Sequence, residues 1–352
     1  MKKLNILITG GGSPGIAGTI YSLKNNYEDR EVYIVVTDIK DDVVGKHLSD
    51  KFYLISRATE EEKYLESVLR ICKDEDIDVF IPQNTRELLY LSQKLDSFSE
   101  INTKVIVSAH DKMIIANNKY ELLKLCSQIN IPFPSYNLVD NIKDLKIAAN
   151  ILGYPKKPII VKPPDSNGSR GIRIIDENKN YKELFYNEKP TNLYIKLDQL
   201  FEILGTEFPQ LLVMEYLPGD EITIDVFRDR NHFISIPRVR EEVRSGISFR
   251  NSAFNSDELI NYSEKISEHL DLKYCFGFQF KYDVYGIPKI LECNPRVQGT
   301  MVFSTFMGAN MVYFAVKSAL GEQLPKVELD WDTKLIRYWG ALGLNSKGIK
   351  VF

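Results

Sequence analysis

The sequence predicts an α/β protein that opens on a parallel sheet and continues into mixed strand-and-helix segments. Three observations carry that expectation. Short β-branched runs (Leu4–Thr9, Val32–Asp38, 79–82 and 105–108) alternate with charged, helix-period segments such as 60–74. That order gives parallel strands covered by helices on both faces. A glycine-rich turn, Gly10-Gly11-Gly12-Ser13-Pro14-Gly15, follows the first run directly. Beyond about residue 211, long alternating strands replace the strand–helix rhythm, with helices expected over 256–270 and 309–320.

In chain order, the opening sheet is expected over 1–112. Its first run is too short in apolar length and too soon glycine-rich for a signal peptide, and reads as a strand. A helical pattern follows over 111–129 and is stopped by Pro132 and Pro134. From there to about 176 the pattern is a small strand-and-helix unit with a glycine-rich loop. The stretch 177–210 is polar and rich in tyrosine, shows no clear period, and receives no assignment. The last segment, 331–352, carries Gly340, Gly343 and Gly348 and reads as a terminal extension.

Composition bounds the partners. The chain has 352 residues, 26% charged and 44% hydrophobic, the balance of an ordinary soluble globular protein. A formal net charge of −3 argues against nucleic acid or a membrane surface, which favour a basic face. Cys72, Cys126, Cys275 and Cys293 are scattered, with no zinc-like spacing and no disulfide framework, as for thiols in a reducing cytoplasm.

The glycine turn fits G-x-G-x-x-G after a strand, and Asp38 closes the second strand, as in a dinucleotide site. Glycines that simply allow a tight strand-to-helix turn explain it equally. A denser set of signals lies downstream. The run Ile159-Ile160-Val161-Lys162 leads into Pro163-Pro164-Asp165-Ser166-Asn167-Gly168-Ser169-Arg170-Gly171, a strand ending in lysine and then a loop of small residues. Backbone N–H groups of such a loop approach phosphate closely, and the lysine supplies point charge; a solvated lysine before an ordinary loop is the bland reading. Next, Met214-Glu215-Tyr216-Leu217-Pro218-Gly219-Asp220-Glu221 turns one strand into another. Alternation puts Glu221, Thr223 and Asp225 on one face, either solvent-exposed or, for Glu221, placed to accept from a ribose. Last, Gln279 and Lys281 share one strand face, and Glu292 and Asn294 share a face of the strand Ile290-Leu291-Glu292-Cys293-Asn294, followed by Pro295-Arg296. A carboxylate and two amide oxygens suit Mg²⁺ when phosphates supply the rest of its shell. Arg296 then stands where it could neutralise a transferring phosphoryl group.

These motifs, in this order, resemble the ATP-grasp superfamily, and within it the branch like the carbamoyl-phosphate synthase large chain. The resemblance spans nearly the whole chain, and Glu292-Cys293-Asn294-Pro295-Arg296 is similar to the family's E-x-N-P-R ending. It implies a Rossmann-like pre-ATP-grasp sheet (1–112) followed by a two-lobed α+β ATP-grasp domain. The small lobe with a linking segment would take 113–210, and the large lobe with a C-terminal extension 211–352. It further implies that Lys119 and Lys162 contact the ATP phosphates under the loop of Ser166, Gly168, Ser169 and Gly171. Glu215 and Leu217 would read adenine through their backbone, Glu221 the ribose, and Gln279, Glu292 and Asn294 would hold Mg²⁺ (Mn²⁺ as a substitute). Arg296 and Lys162 are the implied catalytic groups, and 237–240 with 244–246 resemble the acceptor side.

With one module where carbamoyl-phosphate synthase has two, the chain reads as a stand-alone carboxylate–amine ligase. It is similar in plan to D-alanine–D-alanine ligase or the amino-acid ligase of pyrrolysine biosynthesis. The implied partners are a small-molecule carboxylate and an amine or other nucleophile, with a homodimer allowed and neither nucleic acid nor membrane. Two rivals stand beside it: an NAD(P)-dependent oxidoreductase built on Gly10–Gly15 and Asp38, and a non-catalytic nucleotide-binding module.

Overall fold

The computed structural model describes the chain apart from residues 167, 169, 189–192, 245, 339, 346, 347 and 352. Its first sheet is built by β1 (Leu4–Thr9), β2 (Val32–Asp38), β3 (Lys51–Leu54), β4 (Val79–Ile81) and β5 (Lys104–Val105). Between them run α1 (Ile16–Lys24), α2 (Val44–Leu48), α3 (Glu61–Asp74), α4 (Thr85–Ser92) and α5 (Leu95–Ser99). The strand order is β3-β2-β1-β4-β5 and every pairing is parallel. Apolar runs make this so: β4 is buried throughout and β1 nearly so, as strands between two helix layers must be. The order reverses between β1 and β4, so the crevice beyond their carboxyl ends is the switch point of the sheet.

The single helix expected over 111–129 is two, α6 (His110–Asn117) and α7 (Lys119–Gln128). Asn118 breaks it by leaving the helical conformation and capping the second helix. Its Oδ1 accepts from the N–H groups of Tyr120 and Glu121 at 3.0 and 3.1 Å. A second sheet follows, from β6 (Tyr136–Asn141), β7 (Ile159–Lys162), β8 (Arg173–Ile175), β9 (Tyr194–Ile195) and β10 (Glu207–Glu215), in the order β6-β10-β7-β8-β9. It carries α8 (Ile142–Ile151), α9 (Tyr181–Asn187) and α10 (Leu197–Leu204). The unassigned stretch 177–210 thus contains α9, β9 and α10. It lacks a single legible period because these elements are short and differ in period, and α9 buries no residue.

The third sheet comprises β11 (Glu221–Arg228), β12 (Phe233–Arg244), β13 (Ile247–Ala253), β14 (Tyr274–Tyr282), β15 (Pro288–Asn294) and β16 (Lys334–Ile336), in the order β15-β14-β11-β12-β13-β16. Helix α11 (Asp257–Leu270) begins at Ser256, whose hydroxyl caps it, and α12 (Val302–Phe306) and α13 (Met311–Ala319) follow β15. The segment from 331 is therefore not wholly an extension. β16 completes the third sheet against β13, and only β17 (Leu342–Asn345) and β18 (Gly348–Val351) form a separate hairpin. Among the described residues no helix is long and apolar enough to cross a membrane.

Two compact units result, and neither is continuous in sequence. The first takes Met1–Asn117, Ile222–Gln279 and Cys293–Phe352; the second takes Asn118–Glu221 and Phe280–Glu292. One core explains the first. Ile6, Ile8, Ile34 and Val36 of the parallel sheet cluster with Phe227, Ile236 and Cys275 of the third sheet and with α12 and α13. Helix α13, buried from Met311 to Lys317, is its central element. The second unit has its own core around Leu145, Ile159, Val161, Ile175, Leu211 and Val213.

Candidate active site

In the second unit the sequence-predicted lysines meet. Lys162 ends β7, in register with Leu212 of β10, and Lys119 opens α7. Only 4% of Lys119 and 5% of Lys162 is exposed, unusual burial for a residue that normally keeps its ammonium in water. Lys119 Nζ lies 3.5 Å from Glu292 Oε2 and also donates to the carbonyl of Ser166. Lys162 Nζ donates to the carbonyl of Leu291 at 3.4 Å. Burial pushes the Lys162 ammonium down to about 8; Lys119 acts in the same direction, and the carboxylates of Glu292 and Glu221 oppose it.

The loop after β7 is tied to this pair, since Lys119 N–H donates to the Pro164 carbonyl at 2.8 Å. Gly171 is there because its φ is +75° and a Cβ would stand 2.8 Å from the Pro163 ring. Gly168 also has positive φ, whereas Ser169 lies outside the described residues. Ser166 contributes its carbonyl to Lys119 and its hydroxyl to the Pro163 carbonyl at 3.4 Å. Glu215 is held by its own unit: its carboxylate accepts from Ser135 N–H at 3.0 Å and pairs with Lys289, which also reaches Asp283 at 3.3 Å. The Leu217 side chain is buried, and Glu221 is half-buried at the start of β11. Lys289 was missed by sequence reasoning, and its position in an alternating strand gave no signal of a polar partner.

Strands β14 and β15 are sheet neighbours and carry the three residues expected to ligate metal. Gln279, Glu292 and Asn294 are each half-buried, while Phe278, Phe280 and Cys293 between them are buried, so the expected alternation is present. Among the described residues no group of three or more His, Cys, Asp or Glu is arranged to hold a metal by itself. By residue type, one carboxylate and two amide oxygens are a donor set that suits Mg²⁺ when phosphates complete the shell. Two buried ammonium groups next to that carboxylate fit the phosphates.

In the first unit Arg296 stands two residues past β15. Its Nε donates to Thr85 Oγ1 at 3.0 Å and its Nη1 to the Val297 carbonyl at 3.0 Å. The exposed reading of Asp225 is overturned. Its face of β11 is interior, and the carboxylate accepts from Arg238 Nε at 2.8 Å and from Gln298 Nε2 at 3.0 Å. Arg238 also reaches Asn251 Oδ1 at 2.7 Å, so this arginine of the expected acceptor segment is buried and paired. Arg240 binds Ser248 Oγ and the Gly246 carbonyl, each at 2.8 Å.

The glycine turn serves packing. Gly12 N–H donates to Asp38 Oδ2 at 2.8 Å and Lys40 N–H to Oδ1 at 3.0 Å, so both oxygens of the expected ribose acceptor bind backbone. A Cβ on Gly15 would lie 2.7 Å from the Cα of Gly299. The turn needs glycine there because another backbone passes over it.

Comparisons with known proteins bear on the family likeness and the fold. Residues 207–337 match the family model described as ATP-grasp in the biosynthetic pathway with Ter operon, and residues 6–106 match the PylC-like N-terminal domain. The carbamoyl phosphate synthase large chain of Clostridium acetobutylicum is 25% identical over 304 residues, covering 82% of this chain and 26% of that protein. The chain thus spans about a quarter of the length of that curated relative. Biotin carboxylase from Campylobacter jejuni, solved as a β,γ-ATP complex, superposes with a TM-score of 0.68 at 16% identity, over 92% of this chain and 73% of that one. N5-carboxyaminoimidazole synthetase from Staphylococcus aureus, complexed with ADP, gives 0.67 at 19% identity, over 93% and 80%. At such identities the structural likeness speaks for the fold, a pre-ATP-grasp parallel sheet followed by an ATP-grasp domain. Residues 207–337 thus resemble an ATP-grasp family and residues 6–106 a PylC-like N-terminal domain, and the chain is similar in sequence to carbamoyl phosphate synthase large chains. Nothing in the matches or among the described residues supports the dinucleotide reading.

Proposed function

We propose that this protein is an ADP-forming ligase that joins a small-molecule carboxylate to an amine or related nucleophile through an acyl phosphate. The observation that carries the reading is the pair of buried lysines, Lys119 and Lys162, beside Glu292. Buried cationic charge of this kind is costly unless an anion offsets it, and nucleotide phosphates supply one. The three-part organisation 1–112, 113–210 and 211–352 belongs to the same proposal.

The reaction balances as two displacements. A carboxylate oxygen attacks the γ-phosphorus of ATP, the bond to the β–γ bridging oxygen breaks, and ADP leaves. The amine nitrogen then attacks the acyl carbon, the C–O bond to phosphate breaks, and the amine proton passes to solvent. Gln279, Glu292 and Asn294 would hold Mg²⁺, which would supply neutralisation of the charge developing on the phosphates. Lys119 and Lys162 hold the phosphates under the loop of Ser166, Gly168, Ser169 and Gly171, Glu215 and Leu217 frame the adenine, and Glu221 accepts from the ribose. Arg296 meets the charge that grows on the γ-phosphoryl group. Catalysis rests on positioning and charge, with no covalent enzyme intermediate.

The test is an ADP-release screen over amino acids and sugar acids, alone and paired with amines. Acid-dependent ADP release is expected. Glu292→Ala should abolish it, and Arg296→Ala should lower kcat about 100-fold or more with nucleotide binding largely intact, as for loss of one oxyanion donor. ADP release by folded Glu292→Ala at the wild-type rate would refute the reading.

A further inference from the structure

A doubly wound sheet ordinarily admits its ligand at the switch point, outside the carboxyl ends of the strands flanking the reversal. In this protein those strands are β1 and β4, and the helix start that follows β4 binds a side chain of the chain itself. Thr85, the first residue after the β4 loop to turn helical, accepts from Arg296 Nε at 3.0 Å. With Nη1 also fixed on the Val297 carbonyl, two nitrogens of the guanidinium are anchored and its plane is set.

The loop that presents Thr85 is itself pinned. Asn84 and Glu87 form a capping box, and Glu87 Oε1 accepts from Asn84 N–H at 2.8 Å. The same carboxylate accepts from the hydroxyl of Thr9, at the end of β1, and from Tyr64 OH at 2.5 Å. Thr9 Oγ1 in turn accepts from Gln83 N–H at 3.0 Å. Glu87 is buried, which pushes its carboxyl up, and these donors pull it back toward the charged form. A carboxylate so placed holds residues 83–87 in one conformation, because moving the loop would strand a buried charge.

We infer that Thr85 is a positioning residue for Arg296, through which the opening sheet aims the guanidinium at the reacting phosphoryl group. The inference rests on the role of Arg296 proposed above. It gives the N-terminal domain a part in the chemical step that needs no ligand of its own.

Two readouts test it. In nucleotide-free protein with ¹⁵N-labelled arginine, the Arg296 Nε–H, assigned by its loss in Arg296→Lys, should exchange slowly with solvent. Thr85→Val should speed that exchange and Thr85→Ser should preserve it. With MgATP and a pool of the standard amino acids, which carries both a carboxylate and an amine, Thr85→Val should lower kcat roughly tenfold or more, since small misplacements of catalytic groups are costly. KM for ATP should stay within about threefold, as for a group acting in the transition state, and Thr85→Ser should restore kcat. Wild-type kcat in Thr85→Val, or unchanged Nε–H protection there, would overturn the inference. A fully active Arg296→Ala alongside faster Nε–H exchange in Thr85→Val would instead locate the failure in the proposed role of Arg296.

Discussion

Lys162 carries the sharpest prediction at the scale of single residues. Its ordinary value is 10.5, and in the folded protein burial brings it down to about 8. Between those values the unfolded chain holds more protons, so the stability contributed by this group is fully present above about pH 10.5 and is lost as pH falls through about 8. Unfolding by urea should show wild type gaining on Lys162→Met between pH 8 and 10; a flat difference would contradict the burial described. The same variant should lose MgATP affinity at pH 7 without losing ligand-free stability, because the thioether chain packs in place of the stem. Calorimetry in buffers of different ionisation enthalpy should detect proton uptake on nucleotide binding near pH 8.5 in wild type and none in the variant. The candidate site was legible in sequence where a polar residue interrupts or ends an apolar strand, as for Lys162, Glu292 and Asn294. It was not legible at Thr85, Glu87 or Lys289. These residues are common in loops and strands, and each has a partner far away in sequence, Arg296 for Thr85, Thr9 for Glu87 and Glu215 for Lys289.

Elements follow the same rule. β1, β2 and α3 were readable to within a residue because burial on both faces leaves the strands as continuous apolar runs and burial on one face gives α3 a helical period. α9, β9 and α10 were not, because each is short and the period changes from one to the next. The break at Asn118 has a local cause, a cap that the sequence does offer as Asn followed by Glu three residues on. The glycine turn is the element where motif and structure part. Gly15→Ala would force a Cβ to 2.7 Å from the Gly299 backbone, with no flexible side chain to yield. A stability loss of roughly 1–3 kcal/mol is expected, the usual cost of overpacking. Denaturant unfolding checks it, with NAD(P)H expected to leave the curves of both proteins unmoved. An unaltered midpoint, or a shift on adding NAD(P)H, would return the turn to a ligand-binding role.

At the scale of the molecule, the two compact units gather segments that are distant in sequence. Burial of α12 and α13 against the opening sheet gathers the N-terminal and C-terminal segments into one unit, and the tip of the β14–β15 hairpin, Phe280–Glu292, groups with the other. A linear reading cannot see this, because side chains from distant segments share one core without sharing a period. It follows that strand β15 passes from the second unit, at Glu292, into the first, at Asn294. In the proposed reaction a carboxylate is activated by phosphoryl transfer before the nucleophile attacks. Isotope transfer tests it most directly. With ATP, Mg²⁺ and a pool of amino acids labelled with ¹⁸O in the carboxyl group, the phosphate released should carry one ¹⁸O and the nucleotide product should be ADP. Unlabelled phosphate, or AMP and pyrophosphate as products, would contradict the account.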